Sequence, residues 1–189
     1  MPGLIPPSGR VTFRSLESAQ LEEIHRRQNG ECREEVSDLL DFDPPWAPMS
    51  LDQVKAKIDE KRKEERTAMI AVWADSDGFV GMGYHTAAWD TWCPQSYVII
   101  WPEHRRKGYG REAATLLLAA CFEGSLARAV ACTAPGWNPA GAAFAESLGF
   151  KKAGVQRRAG IRDGRFYDSL FFDILRDEYL ALRPQRGDR

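Results

Sequence analysis

One stretch constrains this chain more than any other: Ser96 to Glu123, SYVIIWPEHRRKGYGREAATLLLAACFE. It reads as strand, cationic glycine loop and helix. Tyr97 to Trp101 is a β-branched and aromatic run of the kind that fills a buried strand. Pro102 has no amide to donate and should close that strand. Arg105, Arg106, Lys107 and Arg111 put four cations within seven residues, with Gly108 and Gly110 among them. From Gly110, the spacing of Ala114, Leu117, Leu118 and Cys121 predicts a helix with one apolar face. Glycines let a ligand come close to the backbone. A helix N-terminus turns free amides and partial positive charge toward the same spot. Together they make a polyanion site that suits a pyrophosphate.

Two common phosphate motifs do not account for this loop. No Gly-x-x-x-x-Gly-Lys-Ser/Thr occurs in the chain. Gly108-x-Gly110-x-x-Ala113 fits the looser dinucleotide fingerprint, but that pattern belongs at the first strand of a series of βαβ units. Here it lies past mid-chain, with too little sequence after it.

The flanking sequence predicts an α+β order. Residues 1–10 are Pro- and Gly-rich and should be loose. Residues 11–183 form one domain, and 184–189 a tail. A strand is expected over Val11 to Phe13 and a helix from Ser15 or Ser18 to Gly30. Glu31 to Asp43 carries six carboxylates against Arg33 alone and reads as a partly helical connector. Ser50-Leu51-Asp52-Gln53 has capping-box spacing and opens a helix to about Glu65. Thr67–Ala74 and Phe79–Ala88 form a hairpin about Asp75-Ser76-Asp77-Gly78. Gly81 and Gly83 leave room there for a bulge or a close neighbour. Ala127 to Thr133 is the next strand. Asn138 and Pro139 then serve as N-cap and first residue of a helix that Gly149 ends. Phe150–Arg158 and Phe166–Ile174 make a last hairpin, followed by a short helix over Leu175 to Leu182.

At 189 residues the chain can bury a sizeable core as one domain. Its net charge of −1 gives no global field for nucleic acid, so the basic loop is local. Cys32, Cys93, Cys121 and Cys132 show neither a CxxC pair nor metal-ligand spacing. They read as reduced thiols of a cytoplasmic protein. No apolar run approaches ~18 residues, so no membrane partner is expected, and without a second basic patch or aromatic interleaving at the loop no nucleic acid is expected either.

Arg105-x-x-Gly108-x-Gly110 resembles the acetyl-CoA loop of the GNAT superfamily of N-acetyltransferases. Asn138 followed by Leu148-Gly149-Phe150 is similar to that superfamily's second motif. Gly108-Tyr109-Gly110-Arg111-Glu112-Ala113 resembles the RimJ/RimL type, as do Asp163-Gly164-Arg165, Asp168 and Leu175 to Tyr179. The likeness runs from about Val11 to Leu182. It implies a GNAT-like mixed, mostly antiparallel central sheet of about six to seven strands, flanked by about four to five helices. It also implies acetyl-CoA as co-substrate, no metal, and direct transfer of acetyl to a primary amine such as a peptide N-terminus or a small cationic amine.

Carried over residue by residue, the resemblance assigns the CoA pyrophosphate to Arg106, Lys107, Gly108, Tyr109, Gly110 and Arg111, with Arg105 at the first motif position. The backbone of Val98, Ile99, Ile100 and Trp101 would pair with the cofactor arm as an added strand does, and Asn138 would contact that arm. The family's thiolate acid, a Tyr, is replaced by Ala145, and a frequent Ser by Gly141. His85, Tyr97 and Asp168 remain as candidate catalytic residues, each with an ordinary structural role as its alternative. Glu31 to Asp43 could form an acidic lip for a cationic acceptor. The missing Tyr and Ser leave a second reading open, a non-catalytic acyl-CoA sensor on the same fold. A homodimer is compatible with either.

Overall fold

The computed structural model describes residues 9–40 and 47–182. Seven strands form one sheet, β1 (Val11–Arg14), β2 (Thr67–Ala74), β3 (Gly78–Thr86), β4 (Gln95–Ile100), β5 (Ala129–Pro135), β6 (Lys151–Arg162) and β7 (Arg165–Leu175), in the order β1-β2-β3-β4-β5-β7-β6. All neighbours are antiparallel except β4 and β5, which run parallel. Among the described residues six α-helices flank it: α1 (Ser18–Gln28), α2 (Arg33–Leu39), α3 (Leu51–Lys63), α4 (Tyr109–Gly124), α5 (Pro139–Ser147) and α6 (Arg176–Leu182). The expected four to five becomes six because the acidic connector folds a helix of its own, α2, whose buried Val36 anchors it.

Side-chain alternation sorts the core into two layers on the sheet. Ile24, Val36, Val54 and Ile58 of α1, α2 and α3 pack on Met69, Met82, Tyr84, Ile99 and Trp101. On the other face Tyr109, Ala113 and Leu116 of α4 pack on Val11, Val72, Val80 and Ile100. A third cluster, with Phe122, Val130, Phe150, Phe172, Ile174 and Tyr179, lies under the β5–β7 half. Helix starts follow the local chemistry. Ser50 accepts from the Gln53 amide while Gln53 reaches back, a reciprocal cap on α3. At α1 the same arrangement is made by Glu17 and Gln20, and the helix begins at Ser18, one of the two expected starts.

The feature that positions the site is a parting of strands. β4 and β5 are in register only at Gln95↔Ala131, and beyond it they diverge. On the far side of β4 the register of β3 slips at Val80, between Gly81 and Phe79. Gly81 is needed there: a Cβ would lie 2.1 Å from the Ile99 carbonyl oxygen. Such a bulge bends its strand and adds twist, and it sits opposite Ile100, on the stretch of β4 that stands clear of β5.

Candidate functional site

The opened strands form the wall of a cleft of about 720 Å³ that runs from α2 and α3, between β4 and β5, to α4 and α5. The Trp101 amide donates to Val80 of β3 at 2.9 Å. By antiparallel alternation Tyr97, Ile99 and Trp101 therefore turn their backbone groups toward β3, and Val98 and Ile100 turn theirs into the gap. Of the four residues expected to pair with a cofactor arm, two turn toward the gap, and of these the Ile100 carbonyl already accepts from Arg105 Nε. Trp101 lies outside β4 and is wholly buried, edge-on to Phe79 with the Arg27 guanidinium over its ring.

The loop from Arg105 to Arg111, ahead of α4, presents free backbone donors more than free side chains. Gly108 caps α4 in the left-handed region at φ 91°, and Arg106 shares that region at φ 64°. The first α4 amide to find a backbone acceptor is that of Glu112, on the Gly108 carbonyl. Among the described residues, the amides of Arg106 to Arg111 donate to no backbone group, which leaves a row of donors at a helix start.

The cations are mostly engaged elsewhere. Arg105 Nε donates to the Ile100 carbonyl at 2.8 Å, and its Nη2 meets Glu35 of α2 at 3.4 Å. Lys107 pairs with Asp77 at 3.0 Å. Arg111 donates to the carbonyl and hydroxyl of Ser147 on α5. Arg106 alone of the four has no ion-pair or hydrogen-bond partner among the described residues. Two residues that sequence reasoning did not use hold the loop in place. Arg10, assigned to a loose segment, donates from its backbone and guanidinium to Glu112 and from Nη2 to the Lys107 carbonyl at 3.0 Å. Asp77, in the β2–β3 turn, accepts from both Tyr109 and Lys107, and these bonds hold its carboxyl below the usual range. Neither contact has a sequence signal, since both join segments far apart in the chain.

Asn138 caps α5 by accepting from the Gly141 amide at 3.0 Å, and it lines the cleft. Gly141 and Ala145, standing where the family often has Ser and Tyr, line it too. The three catalytic candidates part company. Tyr97 lies in the cleft wall with its hydroxyl 3.0 Å from Gln95 Oε1 and 3.3 Å from Thr133 Oγ1, so it spans β4 and β5 at the root of the gap. Burial pushes its phenol up to about 12. His85 does not line this cleft. It faces α4, hydrogen-bonded to Ser96, and borders a second concavity. Asp168 lies away from both. Its carboxylate accepts from the Arg158 amide at 2.9 Å, and its backbone carbonyl from Gly136 at 2.7 Å, so it pins a distorted stretch of β6.

The acidic segment is also less free than its composition suggests. Glu31 pairs with Arg27, Glu34 with Arg162 at 2.9 Å and Glu35 with Arg105. Glu35, Asp38 and Glu64 border the cleft with Lys61 and Trp89. Asp41, Asp43 and Trp46 fall outside the described residues.

Residues 10–151 match the family described as "Acetyltransferase (GNAT) domain". This chain belongs to the GNAT acetyltransferase family. A curated relative, the SPbeta prophage-derived uncharacterized N-acetyltransferase YokL of Bacillus subtilis strain 168, is 25% identical over 147 residues, 75% of this chain and 80% of that protein. The fold is similar to that of spermidine N-acetyltransferase from Vibrio cholerae, solved with CoA and spermine. That match has a TM-score of 0.77 at 22% identity and covers 92% of this chain and 99% of that one. A GNAT-family acetyltransferase from Bacillus anthracis matches with a TM-score of 0.71 at 16% identity, over 90% and 97% of the two chains. The GNAT co-substrate acetyl-CoA fits what is built here: unpaired amides at the head of α4, and a strand edge at Val98 that opens on the cleft. Among the described residues, no helix is long and apolar enough to cross a membrane.

Proposed function

We propose that this enzyme transfers acetyl from acetyl-CoA to a primary amine by direct attack, and that the acceptor is a small cationic amine or a peptide N-terminus. The observation that carries the reading is the parting of β4 from β5 beside a helix start with unengaged amides. The loop amides from Arg106 to Arg111 hold the pyrophosphate, with Arg106 as the cation free to join them. Val98 and Ile100 pair with the arm, and Asn138 lies along it. Acetyl-CoA supplies an activated thioester. The chain supplies a place where an uncharged amine can meet it, and Tyr97 as a donor that stays protonated.

The acceptor enters past α2 and α3, where Asp38 and Glu64 favour a positive charge. The structural neighbour named for spermidine is consistent with that charge, but at its low identity it speaks for the fold alone. The run from Gly108 to Ala113 supports placement with the RimJ/RimL type, and the reduced thiols a cytoplasmic setting. The second reading, an acyl-CoA sensor, draws on Ala145 and Gly141, which put no acid in the family's usual places. A thiol-release assay with acetyl-CoA across polyamines, amino acids and peptide N-termini separates the two. Release that depends on one amine class supports the enzyme. CoA binding with no release for any of them supports the sensor.

A further inference from the structure

We propose that Ser96 and His85 form a proton exit, carrying the acceptor's proton from the cleft to a second concavity on the α4 side of the sheet. The inference rests on the acetyl-transfer reading and adds the route by which the amine becomes a nucleophile. Ser96 and His85 sit opposite one another on β4 and β3. Ser96 borders the main cleft. His85 borders the separate concavity, and not the cleft. The Ser96 hydroxyl and His85 Nδ1 are 3.0 Å apart, so one hydrogen bond joins the two spaces. Nε2 has no protein partner among the described residues and is not sealed from solvent.

The surroundings suit a ring that accepts a proton and gives it up again. From α4 the Cys121 thiol approaches Nδ1 at 3.5 Å, and burial pushes that thiol up, so it stays neutral. Arg66 is the charged residue that lines the second concavity. Among the described residues, no carboxylate lines that concavity or is hydrogen-bonded to the imidazole to fix it as a cation. Burial lowers its pKa, which keeps it neutral and ready at ordinary pH.

The step balances without any further reagent. An ammonium N–H bond breaks as the Ser96 oxygen takes its proton. The Ser96 hydroxyl proton passes to Nδ1. A neutral amine, an intact hydroxyl and an imidazolium result. The imidazolium then releases a proton to water in the second concavity.

The test compares Ser96→Ala, His85→Gln and the double variant, using the best amine from the panel. Each single variant should lower kcat by about 10²-fold with CoA affinity unchanged. The double variant should be no worse than either single one, because both act in one chain. The acid limb of the kcat–pH profile should vanish in His85→Gln, and added imidazole should restore turnover to His85→Gly. Single losses below about threefold, losses that multiply in the double variant, or no imidazole rescue would overturn the relay while leaving acetyl transfer in place. No turnover by the wild-type protein with any amine would overturn both.

Discussion

Arg10 and Glu112 meet at 2.6 Å, 102 residues apart in sequence, and the same guanidinium reaches the carbonyl of Lys107. A residue just ahead of the first strand thus fastens the loop to which we assign the CoA pyrophosphate. Arg10 is largely exposed, so its worth lies in holding geometry rather than in overall stability. Arg10→Ala should raise the KM for acetyl-CoA about three- to tenfold, the scale of one ordinary hydrogen bond, with kcat nearly unchanged. Steady-state kinetics with the acceptor saturating check this.

Gly108 tests the loop's backbone. Its φ of 91° disfavours any residue with a Cβ, and an added Cβ would lie 2.8 Å from Arg10 Nη2. Gly108→Ala should cost about 1 kcal/mol and lower Tm by about 2–4 °C. Differential scanning calorimetry reads the shift.

Tyr97 separates a chemical role from a bridging one. Its phenol, pushed up to about 12, stays protonated across any ordinary assay range. Tyr97→Phe should therefore lower kcat by about 10²-fold if the hydroxyl donates in the transition state, without moving the pH profile below pH 9 or so. A strand-bridging role alone predicts a lower Tm with kcat within about threefold.

Glu103 sets an acid limit on stability. The Arg27 guanidinium holds its carboxyl down at about 2, and Arg27 also binds Glu23 and stacks on Trp101. A depressed carboxyl contributes stability above its unfolded pKa and loses it as pH falls toward the folded one. Denaturant midpoints should therefore decline between about pH 4.5 and 2. Glu103→Gln should flatten part of that decline. Half the Glu103 side chain is exposed, so solvent screening makes the effect modest.

The acceptor side has engaged and cleft-facing carboxylates. Glu34 is held by Arg162 and does not line the cleft, whereas Glu35, Asp38 and Glu64 border it, Glu35 beside Arg105 and Glu64 3.5 Å from Lys61. Asp38→Asn with Glu64→Gln should raise the KM of a cationic amine by about threefold or more and weaken its salt dependence. Glu34→Gln should change it less. Initial rates at low and high salt make the comparison.

Much of this arrangement was legible in the chain because its signals are local. The loop motif, the capping box at Ser50 and the Asn138-Pro139 helix start each rest on contacts within a few residues, and each appears where the spacing puts it. The strand after Pro94 was also found, though the parting of β4 from β5 was not, because the pairing of strands distant in sequence leaves no local signal. Charge was read least well. Four cations within seven residues suggested side-chain neutralisation of a polyanion, but Glu35, Asp77 and Ser147, from three distant segments, occupy three of them. His85 was named from its residue type and strand, and only the structure shows its direction: alternation along β3 turns it toward α4, one residue out of phase with Tyr84.

The account turns on where the acyl donor seats, and calorimetric titration of CoA into wild-type and Gly110→Val protein measures that. A Cβ at Gly110 would already stand 3.4 Å from Ile100 Cγ1 and 3.6 Å from Phe144 Cζ, so valine crowds the passage between β4, α4 and α5. The wild type should bind, and the folded variant should lose at least about tenfold in affinity, ~1.4 kcal/mol. Equal affinity in a variant with wild-type circular dichroism would contradict the assignment of this cleft to acetyl-CoA.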